Sequence, residues 1–127
     1  MDEAVADRPV TQLLPGRIGM LVRLSAHPGG RTALLDALNR YVDHLDEEPG
    51  TELFAVALDP DDADVVWLQE WFHDEDAQRA HTASGPFQRL VHDMQDLLLS
   101  PPGLLRVDPL RVSLQPALLR DEIGLGP

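Results

Sequence analysis

Residues Val65 to Phe87 read VVWLQEWFHDEDAQRAHTASGPF, and this stretch decides the fold. Its first part, up to Phe72, is apolar, β-branched or aromatic apart from Gln69 and Glu70, which is typical of a strand in a sheet. Residues 74–76 (DED) then place negative charge where the start of a helix has free N–H groups. The stretch therefore predicts a strand, a switch to helix near Asp74, and His81 on the second turn of that helix.

The segments on either side of this stretch carry further strand and helix signals. Apolar runs at 18–26 and 51–58 predict two strands, and leucines at helical spacing over 34–45 predict a helix between them. Downstream, an apolar stripe over 87–98 predicts another helix, and 104–114 predicts a final strand interrupted by a proline. The order strand, helix, strand, strand, helix, strand is that of the ferredoxin-like split βαβ unit, an α+β fold with a four-stranded antiparallel sheet.

Length and composition predict one domain. A chain of 127 residues with 43% hydrophobic content can bury one modest core, which we place at 18–114. Residues 1–17 are acidic and contain two prolines, so we expect a flexible N-terminal segment. The tail at 115–127 keeps apolar side chains, among them Leu118, Leu119 and Ile123, and is expected to pack on its own domain or on a partner subunit. Because the predicted strands are apolar on both faces, we expect a second copy of the chain to cover the face without helices, giving a homodimer.

The charge and the missing residue types exclude several functions. The net charge of −12 disfavours nucleic acid and anionic membranes as partners. The chain has no cysteine, which excludes thiol nucleophiles and thiolate metal sites, and no interleaved histidines and carboxylates that would predict any other metal site. It also lacks a glycine-rich phosphate loop, so no nucleotide or flavin cofactor is expected. An acidic N-terminus and the absence of a long apolar run predict a soluble cytoplasmic protein.

Several polar and aromatic side chains lie within the predicted strands. Arg23 interrupts an apolar strand and needs either a carboxylate partner or a polar cavity; we favour the ion pair. Trp67 and Trp71 are four residues apart and share one face of their strand. Two indoles on one face more often pack in the core than line a pocket. Glu70 lies on the opposite face, and we expect it to point toward the subunit interface and pair with an arginine.

A series of short motifs along the chain resembles the antibiotic biosynthesis monooxygenase domain of the dimeric α+β barrel superfamily. The motifs fall between Ile18 and Val112: they are Pro28-Gly29, Pro49-Gly50, Glu70-Trp71, Asp74 with Ala77, and Ala80-His81 followed by Ser84 and Phe87. The resemblance implies a dimeric α+β barrel. Known members include cofactor-independent oxygenases of aromatic polyketide pathways, quinol monooxygenases, haem-degrading enzymes and an isomerase of a signalling sugar derivative, so the site must decide the activity.

The resemblance implies a small monooxygenase that needs no cofactor and acts on an anthrone-like polyketide or a quinol, with molecular oxygen as co-substrate. Such a reaction needs a base, a group that stabilises an oxyanion, and a dry pocket. As catalytic residues we predict His81 as the base, Trp71 as an N–H donor and Arg23 as an anion holder. As substrate-binding residues we predict Trp67, Arg89, Phe87, Tyr41 and Met94.

Three alternatives stay open. Haem degradation is disfavoured because the first-strand asparagine of those enzymes corresponds to Val22 here, and their axial histidine to Val91 and not to His92. A non-oxidative isomerase, cyclase or small-molecule binder could use the same pocket. In an interaction module the pocket would be filled by side chains, so an open cavity beside Trp67, Trp71 and His81 would favour ligand chemistry.

Overall fold

A computed structural model describes residues 9–119 of the protein. Its strands and helices, in chain order, are β1 (Val10–Leu13), β2 (Ile18–Ser25), α1 (Arg31–Val42), β3 (Thr51–Leu58), β4 (Val65–Phe72), α2 (Glu75–Ala83), α3 (Gly85–Leu97), β5 (Gly103–Val107) and β6 (Arg111–Leu114). Short 3-10 turns occupy Leu45–Glu47 and Pro116–Leu119. Within the described range, no helix is long and apolar enough to cross a membrane.

The larger of two compact units runs from Gly16 to Asp108 and contains the predicted α+β fold. Its four strands form one antiparallel sheet in the order β3-β4-β2-β5, with the first strand of the unit in the interior of the sheet. Helices α1 and α3 join the sheet in one hydrophobic core. This is the ferredoxin-like arrangement, and the prediction of its fold class is confirmed. The strands expected at 51–58 and from Val65 have the predicted bounds, and β2 ends one residue before its predicted end.

Side chains alternate between the two faces of this sheet. On the inner face, Val22, Leu24, Val66 and Leu68 are buried against α1 and α3. The opposite face, which we call the outer face, carries the residues one position out of phase, such as Trp67, which is 39% exposed. Alternate residues of β4, such as Val66 and Leu68, therefore face the helices, and the residues between them face away.

Helix α2 is held in place by its first residues. The Asp74 carboxylate accepts a hydrogen bond from the Ala77 N–H at 2.8 Å and caps the helix, as the acidic start predicted. Ala77 also packs on the turn at Gly50, where a Cβ atom would lie 2.5 Å from the Ala77 Cβ. This close approach fixes α2 beside the end of β4 and turns His81 into the protein, where it is 3% exposed.

The smaller unit corrects two expectations. Its described part comprises residues 9–15 and 109–119, in which β1 and β6 pair as an antiparallel two-stranded sheet. We expected no ordered element before Ile18, but Val10–Leu13 is a strand because it finds this partner. The single final strand at 104–114 is in fact two strands in two different sheets, divided near Pro109. The expectations for residues 1–8 and 120–127 lie outside the described residues.

Candidate functional site

A cavity of about 560 Å³ lies between the inner face of the sheet and helices α2 and α3. This volume is within the usual range of small-molecule sites, about 300–1,000 Å³. The walls are mostly apolar, and the cavity opens where the exposed residues Leu99 to Pro102 and Leu104 meet. Of the described residues that line it, Glu70 and His81 are the only ionisable ones. The interaction-module alternative expected a filled pocket, so the open cavity favours ligand binding.

Glu70 and His81 form a buried pair at the wall of the cavity. Glu70 projects from β4 and His81 from α2, and the His81 Nε2 lies 3.3 Å from a Glu70 carboxylate oxygen. Both side chains are less than 10% exposed. Among residues 9–119, His81 is the only ion-pair partner of Glu70. The rings of Phe72 and Phe87 pack against the imidazole at centroid distances of 4.9 and 4.2 Å. The pair is therefore shielded from bulk water but borders the cavity.

A second carboxylate, Glu48, holds the other side of the imidazole. The Glu48 Oε1 lies 2.8 Å from the His81 Nδ1 and accepts hydrogen bonds from the Tyr41 hydroxyl and the Thr51 hydroxyl, each at 3.0 Å. The Ser84 hydroxyl lies 3.2 Å from the other Glu48 oxygen. Donors from four side chains thus converge on one carboxylate, which suits its capacity to accept at both oxygens. This cluster fixes the orientation of the His81 ring.

The two carboxylates change the titration of the groups between them. Burial alone lowers the pKa of His81, but hydrogen bonds and charge interactions with Glu70 and Glu48 outweigh it and raise the pKa above its ordinary value. Burial, together with the charge of Glu48, raises the pKa of Tyr41. His81 is thus favoured as an imidazolium that donates to both carboxylates. Of the two carboxylates that hold His81, Glu70 is the one that borders the cavity.

The predicted orientation of β4 is wrong. We expected Trp67 and Trp71 to wall the pocket and Glu70 to face a subunit interface. The register places Glu70 opposite Met20 and Phe54, which both line the cavity, whereas the two tryptophans lie on the outer face. The Trp67 indole donates instead to the Asp59 carboxylate at 2.9 Å. The physical reason is that Leu68 and Phe72 lie on the same face of β4 as Glu70. This face therefore also provides enough apolar surface for the core.

The arginines predicted for the site do not line the cavity. Arg23 lies on the outer face, with its guanidinium 4.0 Å from the Asp62 carboxylate and above the Trp67 ring. The favoured ion pair is thus present, but its partner is in the turn between β3 and β4 and not on a neighbouring strand. Arg89 is exposed on α3 and borders a separate small cleft between α1 and α3.

The remaining predicted residues are close to one another. Phe87 and Met94 line the cavity together with His81. Tyr41 is 2% exposed and does not line it, but its hydroxyl lies 2.9 Å from the His81 Nδ1. Sequence reasoning missed Glu48 altogether; it follows the short 3-10 turn Leu45–Glu47. The available signal was that Glu48 immediately precedes Pro49-Gly50, a turn that returns the chain to the sheet.

The structure also shows where the three positions compared with haem-degrading enzymes lie. Val22 and Val91 line the cavity, while His92 is exposed on α3. Among the described lining residues the one histidine is His81, and carboxylates lie close to both of its ring nitrogens. The donor set therefore does not favour an axial haem ligand in this cavity.

Comparison with known proteins agrees with this architecture. The family model described as "Antibiotic biosynthesis monooxygenase" matches residues 17–93, more than half of the chain. The chain belongs to the antibiotic biosynthesis monooxygenase family. The matched segment contains β2 to α2, and with them Glu48, Glu70 and His81. No functionally curated protein matches the chain significantly.

Solved structures share the fold of this family member. A Caulobacter crescentus CB15 protein that carries the same family name is 18% identical, with a TM-score of 0.70 over 76% of this chain and 92% of that one. A Chloroflexus aurantiacus J-10-fl protein with the same family name is 24% identical, with a TM-score of 0.66 over 73% and 92%. A Nitrosomonas europaea protein of unknown function, NE2512, is 27% identical, with a TM-score of 0.64 over 72% and 86%. At these identities the likeness supports the fold.

Proposed function

We propose that this protein is a monooxygenase that needs no cofactor and oxidises an anthrone-like aromatic or a quinol in the cavity bordered by Glu70 and His81. The observation that carries the proposal is the pairing of a mostly apolar cavity with one buried carboxylate–imidazole pair. Buried, coupled ionisable groups in a cleft are a recognised mark of acid–base chemistry. Membership of the antibiotic biosynthesis monooxygenase family supports oxygen as the co-substrate.

Glu70 is proposed to take the proton from the enol or phenol O–H of the substrate. The neighbouring imidazolium of His81 stabilises the oxyanion that results, and Glu48 keeps that imidazolium charged and oriented. The electron-rich enolate then supplies electrons to O2. For an anthrone, the CH2 carbon loses two hydrogens and becomes a ketone, one oxygen atom enters the product, and the other leaves as water. The apolar walls exclude bulk water from the reactive anion.

Oxygen consumption tests the proposal. Purified protein treated with a chelator is incubated with anthrones and hydroquinones, and uptake is compared for the wild type, Glu70→Gln and His81→Ala. Loss of a positioned base lowers rates by roughly 100- to 10,000-fold, and we expect Glu70→Gln to fall in this range. Glu75→Gln is the matched control, since it removes one carboxylate from an exposed position on α2. Equal uptake by Glu70→Gln and Glu75→Gln would contradict the role of Glu70.

A non-oxidative isomerase or cyclase is the second candidate. The observation in its favour is that the Glu70–His81 pair can move a proton without any oxygen-binding group. The two candidates differ under anaerobic conditions. Exchange of substrate C–H hydrogen for deuterium, with no oxygen consumed after air is admitted, would favour the non-oxidative reaction.

The outer face supports the proposal that two chains associate as a homodimer. Trp67 and Leu105 on this face are 39% and 60% exposed, and Ala55 and Ala57 on the edge strand β3 are exposed on the same face. An apolar sheet face of this kind is stabilised by a second copy through two-fold symmetry. We expect light scattering to report a dimer that Leu105→Glu dissociates. Val56→Glu, an exposed valine on the inner-face side of β3, is the control and should not change the mass.

A further inference from the structure

Of the described residues that line the cavity, only His81 can carry a positive charge, and Glu48 and Glu70 already pair with it. The described lining contains no arginine, and the chain has no lysine. Arg106 lies on the same side of β5 as the lining residue Leu104, but its guanidinium is paired with the Asp108 carboxylate at 2.8 Å. Arg40, Arg89 and His44 border the separate cleft of about 140 Å³ between α1 and α3. A carboxylate or phosphate on the substrate would therefore enter the main cavity without a counter-ion.

The charged groups that do border the cavity oppose an anion. With His81 protonated, the Glu48–His81–Glu70 cluster carries one net negative charge, and all three side chains are buried. An anion placed beside it loses its hydration and is repelled in a medium of low dielectric constant. While Glu70 is ionised, its charge and that of Glu48 offset the imidazolium. In the proposed reaction the substrate O–H proton neutralises Glu70 and leaves the imidazolium to stabilise the oxyanion, whereas a substrate that is already anionic brings no such proton.

The exposed lining residues at the mouth of the cavity also carry no positive charge. Its polar residues are the uncharged Thr82, Gln95 and Ser100, and its exposed apolar residues include Leu99 and Leu104. Amide and hydroxyl groups hydrogen-bond to neutral ketones and phenols without favouring charge. A substrate whose far end remains at the mouth therefore also finds no cation there.

We propose that the cavity selects an uncharged substrate: a hydrophobic molecule whose ionisable group is a weakly acidic O–H, with carboxylated and phosphorylated relatives rejected. This inference deepens the proposed function and rests on the same cavity. It fixes the charge of the ligand, whereas the proposed function concerns the reaction. The two are therefore tested by different measurements.

The test compares binding of three matched compounds by calorimetry without oxygen: a neutral anthrone, the same anthrone bearing a carboxylate, and the methyl ester of that acid. We expect the ester to bind within about 5-fold of the parent and the acid to bind at least about 100-fold more weakly than the ester. Because the ester has the larger substituent, size cannot explain that order. An acid that binds within 10-fold of its ester, or a set of which no member binds, would overturn the inference.

A variant pair tests whether charge is the cause. Gln95 is exposed on α3 at the mouth, so Gln95→Arg can add a cation there and Gln95→Met serves as its uncharged control. The ratio of acid to ester dissociation constants should fall at least about 10-fold in the arginine variant and stay unchanged in the methionine variant. An unchanged ratio in Gln95→Arg would count against the inference. If the neutral anthrone binds but no oxygen is consumed when air is admitted, the proposed reaction is contradicted and the inference about the charge of the ligand is not.

Discussion

Replacing Glu48 with glutamine should lower the free energy of unfolding, because it removes a charged partner of His81. Glu48 is 6% exposed, and its Oε1 lies 2.8 Å from the His81 Nδ1. Glutamine keeps the size of the side chain and one carbonyl oxygen, but it removes the negative charge and turns the other acceptor into a donor. The Ser84 hydroxyl, 3.2 Å from the second Glu48 oxygen, would lose that contact and keep the His81 carbonyl at 2.9 Å as its acceptor.

The magnitude follows from the burial of the pair. Both side chains are only 4% exposed, so solvent screens their interaction weakly. Breaking a buried ion pair by removing one partner costs about 3–5 kcal/mol. Because glutamine retains one acceptor for Tyr41 and Thr51, we expect a loss near 2–4 kcal/mol in the free energy of unfolding. A domain has only about 5–15 kcal/mol in total, so the variant should fold but with a much lower midpoint.

The pH dependence has a definite sign. Because the pKa of His81 is raised in the folded protein, its protonation stabilises the fold fully below the ordinary value of 6.5. That stabilisation is lost as the pH rises through the folded-state pKa. Glu48→Gln removes one of the interactions that raise this pKa, so the difference between variant and wild type should be largest below pH 6.5 and smaller once His81 is neutral.

Urea denaturation at several pH values, combined with NMR titration of His81, measures both quantities. Glu75→Gln, which removes an exposed carboxylate, is the control and should change stability by less than about 0.5 kcal/mol. A loss below 1 kcal/mol in Glu48→Gln would refute the reasoning. So would a destabilisation that does not vary with pH, because the pair would then not depend on the charge of His81.

Three further substitutions test how the site is supported. Gly50→Ala places a Cβ atom 2.5 Å from the Ala77 Cβ and should cost about 1–3 kcal/mol in urea denaturation, since α2 must move. Asp74→Ala removes the N-cap of α2 and should lower the thermal midpoint by an amount equivalent to about 1 kcal/mol, whereas Asp74→Asn should be nearly neutral. Arg17→Ala removes the hydrogen bonds that hold the pKa of Glu52 below its ordinary value. Its cost, about 1 kcal/mol near neutral pH, should vanish as acid protonates that carboxyl group.

The sequence predicts the elements of this fold well because their signals are local. The apolar run of β4, the acidic cap at Asp74 and the apolar stripe of α3 each depend on residues close in the chain, and each is present. The direction in which β4 faces is not local. Both of its faces are apolar, one through Trp67 and Trp71 and the other through Leu68 and Phe72, so periodicity alone could not decide between them.

Other features depend on contacts between residues distant in the chain. Val10–Leu13 is a strand only because it pairs with Arg111–Leu114, a segment about a hundred residues later. Glu48 joins His81 across 33 positions, and no spacing rule connects a helix end with a later helix. Sequence reasoning thus found the histidine of the candidate site, but it placed Glu70 on the wrong face of β4 and missed Glu48.

The cost of the buried cluster is an argument about its purpose. Replacing buried ion pairs by apolar side chains of similar volume is often neutral or stabilising, so stability alone does not explain why ionisable side chains occupy positions 48, 70 and 81. The other inner-face positions of β4, such as Leu68 and Phe72, are apolar and equally buried. Glu70 is the exception on that face, and it borders the cavity next to the histidine that Glu48 orients. A buried carboxylate placed where a ligand can reach it supports the proposed proton transfer between Glu70 and the substrate.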